Sequence, residues 1–247
     1  MADERRIAVL IPALDEEKTI RSVIADFRRD APKAMICVFD NGSADMTAQL
    51  ACQSGAQVFG VRKRGKGNVI RYALQKIEAD IYVMVDADDT YHAGDVHGLI
   101  RPVLEGKADM VIGNRFGFGS GGFSYLHIIG NRIINLCMRF CFPCRISDIL
   151  SGYRIFTGEV AGSLDLRSRG FTIETEMTIK ALEKGFRISE IPIRYRKRTG
   201  QSTSKLNSFH DARRIISAIV RLFWSFRKIE FCSVAALMIF ALISGFL

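Results

Sequence analysis

Short apolar runs alternate with amphipathic stretches through the first half of the chain. Runs rich in β-branched residues at 6–11, 35–39, 57–61, 81–85 and 109–113 are bounded by turn residues. Between them, residues 17–29, 46–54, 68–78 and 95–104 carry apolar positions at helical spacing. Strands alternating with helices predict an α/β fold: a Rossmann-like, mostly parallel sheet with helices on both faces. Ligand crevices in such sheets lie beyond the carboxyl ends of the strands. Glu16, Asp40, Asp86 and Asp88 each follow directly on a predicted strand, so four acids converge on that edge.

The pattern changes toward the C-terminus. Ile215, Ile216, Ile219, Val220, Phe223 and Trp224 recur at helical spacing, interrupted by Arg214, Arg221, Arg227 and Lys228. This predicts an amphipathic membrane-interface helix over 207–230, with Trp224 suited to the interface. Residues 231–247 carry no charge. As a helix they span about 26 Å, slightly less than the ~30 Å hydrocarbon core. They read as a C-terminal transmembrane segment, either one marginal span or part of a longer membrane region. The expected organisation is a catalytic domain over 1–206, the interfacial helix over 207–230 and the membrane segment over 231–247. The sequence leaves oligomerisation through the interfacial helix open.

Charge sharpens this picture. The 247 residues are 48% hydrophobic and 25% charged, with mean hydropathy +0.12 and net charge +9. That is too apolar for a disordered chain and too polar for a polytopic membrane protein. Residues 194–228 hold ten Lys and Arg but only one acid, Asp211, so the rest of the chain is neutral overall. One basic belt running into an apolar tail argues for membrane lipids as partner. The belt lacks the interleaved aromatics of a nucleic-acid platform, so no nucleic acid is expected. Lys and Arg before the tail place the preceding domain on the cytoplasmic face. Six irregularly spaced cysteines and no secretory leader agree with a reducing compartment and free thiols.

Asp86-Ala87-Asp88 is the sharpest chemical motif. Residues two apart in an extended backbone point the same way, so the two carboxylates can converge as hard oxygen ligands for Mg²⁺ or Mn²⁺. Two competing motifs fail. Gly60 to Gly67 matches a phosphate-binding loop until Gly67, which stands where that loop needs a hydroxyl; Lys66 remains a candidate near a phosphate. Cys137, Cys141 and Cys144 have iron–sulfur-like spacing but lie in an apolar stretch with Pro143 before the last cysteine, so they read as packing residues.

Several stretches in order resemble the family-2 glycosyltransferases, and more narrowly the polyprenyl-phosphate sugar synthases. They are Ile11-Pro12-Ala13-Leu14-Asp15-Glu16-Glu17, Asp40-Asn41-Gly42-Ser43-Ala44-Asp45-Met46-Thr47, Gly65-Lys66-Gly67 and Asp86-Ala87-Asp88. Ile112-Gly113-Asn114-Arg115, Asp148-x2-Ser151-Gly152-Tyr153-Arg154 and Arg198-x-Gly200-x-Ser202 continue the series. The resemblance covers about residues 6–206. It implies a GT-A fold, a nucleotide-sugar donor and a polyprenyl-phosphate acceptor.

By that resemblance Pro12, Leu14, Glu16, Asp40, Lys66 and Ala87 line the donor site, with Asp86 and Asp88 holding the diphosphate-bound metal. Glu16 or Asp40 would accept from base or ribose; alternatively Asp40 and Ser43 cap the next helix. Arg115, Arg132 and Arg198 are the candidates for gripping acceptor or leaving phosphates, because a guanidinium offers two parallel donors. Asp148 and the 151–154 turn would close the acceptor side. Mannose synthases of this group continue the Asp-x-Asp with Gln two places on; here Thr90 stands there, and Asp89 is the candidate third ligand. A lipid phosphate is already anionic at neutral pH and needs no general base. The alternative, a sugar-hydroxyl or glycerolipid acceptor, would need one, and Asp148 is the acid to nominate.

Overall fold

The computed structural model describes residues 5–118, 125–196 and 208–233. Seven strands form one sheet in the order β3-β2-β1-β4-β6-β5-β7. They are β1 Ile7–Ala13, β2 Met35–Asp40, β3 Gln57–Gly60, β4 Ile81–Met84, β5 Met110–Asn114, β6 Arg154–Thr157 and β7 Ile188–Pro192. The five strands expected from the first half of the chain are present within two residues at each end. All neighbours pair parallel except β6, which runs antiparallel to both β4 and β5.

The strands alternate strictly between two apolar cores, as the two-residue period of extended backbone demands. Val9, Ile11, Ile36, Val38, Val83 and Val111 face the core under α1 Ile20–Asp30, α2 Thr47–Gln53 and α4 Val96–Leu104. Ala8, Leu10, Cys37, Phe39, Met84 and Ile112 face the other core, covered by α3 Lys66–Lys76, α5 Tyr125–Cys141, α6 Gly158–Ser163, α7 Ile173–Glu183 and α8 Ser208–Phe226. The connection reverses direction across the sheet between β1 and β4, and this switch point opens the crevice in doubly wound sheets.

The amphipathic segment is a helix, but its apolar face is divided. Ile215, Ile219 and Phe223 are buried in the core shared with α5 and α7, whereas Val220 and Trp224 are exposed. The helix therefore belongs to the packed domain on one side and offers only part of its apolar surface outward. The belt is likewise partly compensated: Arg194 binds Asp95 through two bonds, Arg196 lies 3.8 Å from Asp89 and Arg227 pairs with Glu183. No helix among the described residues is long and apolar enough to cross a membrane. Residues 234–247 of the expected membrane segment lie outside the described residues.

Candidate active site

The crevice floor beyond β1 and β2 is a knit of loops. Asp40, the last residue of β2, accepts from the Gly42 and Ser43 amides and from Ser43 Oγ at 2.5 Å. It closes its own turn, and Asp45, just before α2, accepts from the Thr47 amide. Ser43 Oγ accepts from the Asp15 amide, and Asp15 accepts from the Ala44 amide, tying the loop after β1 to the loop after β2. This fixes Asp15 at φ +51°, where Asp is tolerated because its short side chain bonds locally. Pro12 and Leu14 are half-buried along this floor. Glu16 is buried beneath it, its amide bonded to Thr47 Oγ1 and its carboxylate beside Thr19, whose hydroxyl donates to the Ala87 carbonyl. Glu16 thus braces the crevice from below.

Asp86 and Asp88 follow β4 at the switch point, separated by buried Ala87. Asp88 Oδ1 accepts from both the amide and the hydroxyl of Thr90, so Thr90 orients Asp88. Asp89 stands at φ +56° and is turned toward Ser22 Oγ and Arg196. Among the described residues no three acidic, histidine or cysteine side chains gather as a metal-binding group. Of the expected trio Asp86, Asp88 and Asp89, it is Asp89 whose side chain turns toward α1 and the belt. Nor do the three cysteines assemble: all six in the chain are free thiols.

β6 brings the rest of the site in from the opposite direction. Met84 pairs with Arg154 in the antiparallel register, so residue 152 lies level with residue 86. A Cβ on Gly152 would meet Asp86 Oδ2 at 2.5 Å and Lys66 Nζ at 3.1 Å. The Gly152 amide donates to Tyr91 Oη at 2.8 Å. Arg154, wholly buried, staples the preceding turn by donating to the carbonyls of Ser151 and Ile149 and to Thr178 Oγ1 on α7. Burial pulls its guanidinium down to about 10, against the pull of Glu174 and Asp148.

Asp148 is fully buried and takes the Arg115 guanidinium through two bonds of 2.7 Å, one to each oxygen. Burial opposes the Arg115 charge, but Asp148 outweighs it and holds the group well above the usual arginine range. Arg115 also lies over the Tyr195 ring at 5.5 Å. Glu190 on β7 accepts from the Ser147 and Asp148 amides and holds this loop in place. Arg132 sits apart on the exposed face of α5, and Arg198 lies outside the described residues.

Lys66 departs most from expectation. It opens α3 after Gly65, and its ammonium bridges Asp86 Oδ1 at 2.5 Å and Glu174 Oε1 at 2.6 Å. Gly67 is glycine because a Cβ there would run into the Ser168 carbonyl, which explains the missing hydroxyl of the rejected phosphate loop. Sequence reasoning passed over Glu174 and Tyr91. The signal for Glu174 was a helix whose residues 173–181 are all buried although they include two glutamates and a lysine. Apolar periodicity does not predict such a helix; its polar side chains serve the site and the loop before it.

The assembled crevice has close relatives. The family description "Glycosyl transferase family 2" matches residues 8–161. The Glycosyltransferase AglJ of Haloferax volcanii is 39% identical over 83% of this chain and 68% of that protein. The Dolichyl-phosphate hexose transferase of the same organism is 28% identical over 87% of this chain and 93% of its own length. Among solved structures, glucosyl-3-phosphoglycerate synthase from Mycobacterium tuberculosis, in complex with Mn²⁺, UDP-glucose and phosphoglyceric acid, superposes with a TM-score of 0.73 at 26% identity. That likeness covers 89% of this chain and 80% of the other. An α/β GT-A-like sheet, an Asp-x-Asp at its switch point and these likenesses together establish that the chain belongs to glycosyl transferase family 2.

Proposed function

We propose that this chain transfers a hexosyl group from a UDP- or GDP-linked sugar to a polyprenyl phosphate, undecaprenyl or dolichyl, at the cytoplasmic face of a membrane and with inversion. The observation that carries this reading is the Arg115–Asp148 pair. The acid nominated as general base is buried and bound at both oxygens, which suits an acceptor that arrives already anionic. The name of the Dolichyl-phosphate hexose transferase supports the same acceptor class.

A divalent cation fits the residues present. Asp86 and Asp88 offer hard carboxylate oxygens, Lys66 Nζ already stands as a cation against Asp86, and Gly152 leaves a cradle that a Cβ would fill. Mg²⁺ or Mn²⁺ held there would neutralise the charge developing on the departing nucleoside diphosphate. Thr90 holds Asp88 in its orientation, and the loop after β2 lines the place for the nucleoside. Arg115, Arg132 and Arg198 are the groups proposed to meet acceptor or leaving phosphates.

Membrane attachment is supported by the outer face of α5 and α8. Ile129, Ile133, Leu136 and Phe140 form an exposed stripe at helical spacing on α5, beside exposed Arg132 and Arg139. Val220, Trp224 and Arg221 are exposed on α8, which packs against α5. A basic, apolar surface with no acid on α5 fits anionic lipid. In this reading residues 231–247 anchor the chain.

A second reading, a soluble phosphorylated acceptor, is favoured by the likeness to glucosyl-3-phosphoglycerate synthase. Radiolabelled UDP-glucose, UDP-N-acetylglucosamine and GDP-mannose, each offered with undecaprenyl phosphate or phosphoglyceric acid, with Mn²⁺ or EDTA, separate the two. Metal-dependent label in the lipid phase is the expected result. Label only in the soluble product would transfer the assignment to the second reading.

A further inference from the structure

Lys66, Asp86 and Glu174 form a chain of ion pairs buried at Lys66 and Glu174, with the Asp86 side chain 28% exposed. The Lys66 and Glu174 side chains are 10% and 4% exposed. The ammonium lies 2.5 Å from Asp86 Oδ1 and 2.6 Å from Glu174 Oε1, so Lys66 is a standing cation on the carboxylate that, in the reading above, also holds a divalent ion. Two cations on one carboxylate repel strongly where the surroundings screen poorly. The backbone that carries Lys66 is held in place, since the first turn of α3 is pressed against the carbonyls of Ser168 and Arg169.

Glu174 changes the balance. Asp86 and Lys66 alone cancel, leaving Asp88 to face a doubly charged ion with a single negative charge. With Glu174 the ammonium is held by two carboxylates, at 2.5 and 2.6 Å, and not by Asp86 alone. The ammonium is thereby drawn to both carboxylates, so that Asp86 is shared and not neutralised. Its place is fixed, since α7 is buried along 173–181 and Thr178 on the next turn is held by Arg154.

We propose that Glu174 is a positioning residue for the metal-binding aspartate, acting through Lys66 to keep Asp86 available to a divalent cation. The proposal rests on Asp86 and Asp88 being cation ligands, and the test separates the two. Mn²⁺ binding to the full chain in the presence of saturating UDP, read from the free-ion electron paramagnetic resonance signal, gives affinity without reference to turnover. Failure of the unaltered chain to bind Mn²⁺, or equal binding by Asp88→Asn, would overturn the cation site itself.

With that site intact, Glu174→Gln is expected to bind Mn²⁺ at least tenfold more weakly. Lys66→Met is expected to bind at least as tightly as the unaltered chain, and the double variant Lys66→Met/Glu174→Gln to return to within threefold of it. A merely structural role for Glu174 would weaken the double variant at least as much as the single one. Folded Glu174→Gln binding within twofold of the unaltered chain, or a double variant no tighter than Glu174→Gln, would overturn the proposal. Should Glu174→Gln fail to fold by circular dichroism, Lys66→Met decides: weaker Mn²⁺ binding than the unaltered chain rejects the idea.

Discussion

Gly152 and Asp86 meet so closely that there is no room for a side chain between them: a Cβ on Gly152 would lie 2.5 Å from Asp86 Oδ2. The antiparallel entry of β6 beside β4 creates this approach, and it makes the turn before β6 a wall of the proposed cation site. Gly152→Ala must displace Asp86 or the turn. The expected result is a loss of at least tenfold in kcat/KM with a raised Mn²⁺ requirement, measured by titrating the metal at saturating donor.

Asp88 is held in orientation by the amide and hydroxyl of Thr90. Asp88→Asn is expected to reduce transfer on the order of 10²–10³-fold, as removal of a charge-stabilising group at a reacting centre does. EDTA should abolish transfer by the unaltered chain, and added Mn²⁺ or Mg²⁺ should restore it. Thr90→Val, which loosens Asp88 without removing it, should give an intermediate loss in the same assay.

Breaking the buried Arg115–Asp148 pair from one side leaves the other charge without its partner. Asp148→Ala should destabilise the fold by about 3–5 kcal/mol, seen as a lower urea midpoint. The double variant Arg115→Met/Asp148→Leu should cost less than the sum of its parts, because it removes both charges. Were Asp148 a general base, Asp148→Asn would flatten the acidic limb of the pH–rate profile. The polyprenyl-phosphate reading expects that limb to persist.

Leu136 and Phe140 are 68% and 69% exposed on α5, so changing them costs the fold little. Leu136→Glu/Phe140→Glu should leave the melting temperature within about 2 °C, since exposed substitutions are near neutral. The same variant should lose most of its flotation with anionic liposomes. Binding that persists unchanged would show that α5 does not face the bilayer.

Glu176 receives Lys180 Nζ at 2.8 Å and the amides of Arg167 and Ser168, holding the loop that packs on Gly65 and Gly67. Burial pushes its carboxyl up, but these partners outweigh it and leave it below the usual glutamate range. A depressed carboxyl stabilises the fold above its unfolded pKa and loses that contribution as pH falls through the folded one. Glu176→Gln should therefore cost about 1–3 kcal/mol near pH 7, the gap closing as pH falls below about 4. Paired thermal melts across that window measure it.

The sequence by itself determined the strands 7–13, 35–40, 57–60, 81–84 and 110–114, their helices, and the edge on which Glu16, Asp40, Asp86 and Asp88 stand. These are local matters, because alternation and helical spacing are written within a few residues and each strand end is a place in the chain. The ordered motifs carried the family. Which partners the side chains at that edge hold was decided elsewhere. Asp40 turned to its own loop, Asp148 to Arg115, and Lys66 to Glu174, a residue 108 positions away in the chain. Half of the surface assigned to the membrane on α8 went into the core. Such pairings depend on β6 entering the sheet backwards and on a buried helix whose polar residues have no periodic signature. Charge in a folded protein is satisfied by whatever opposite charge the topology delivers, and only the tertiary structure decided which that was.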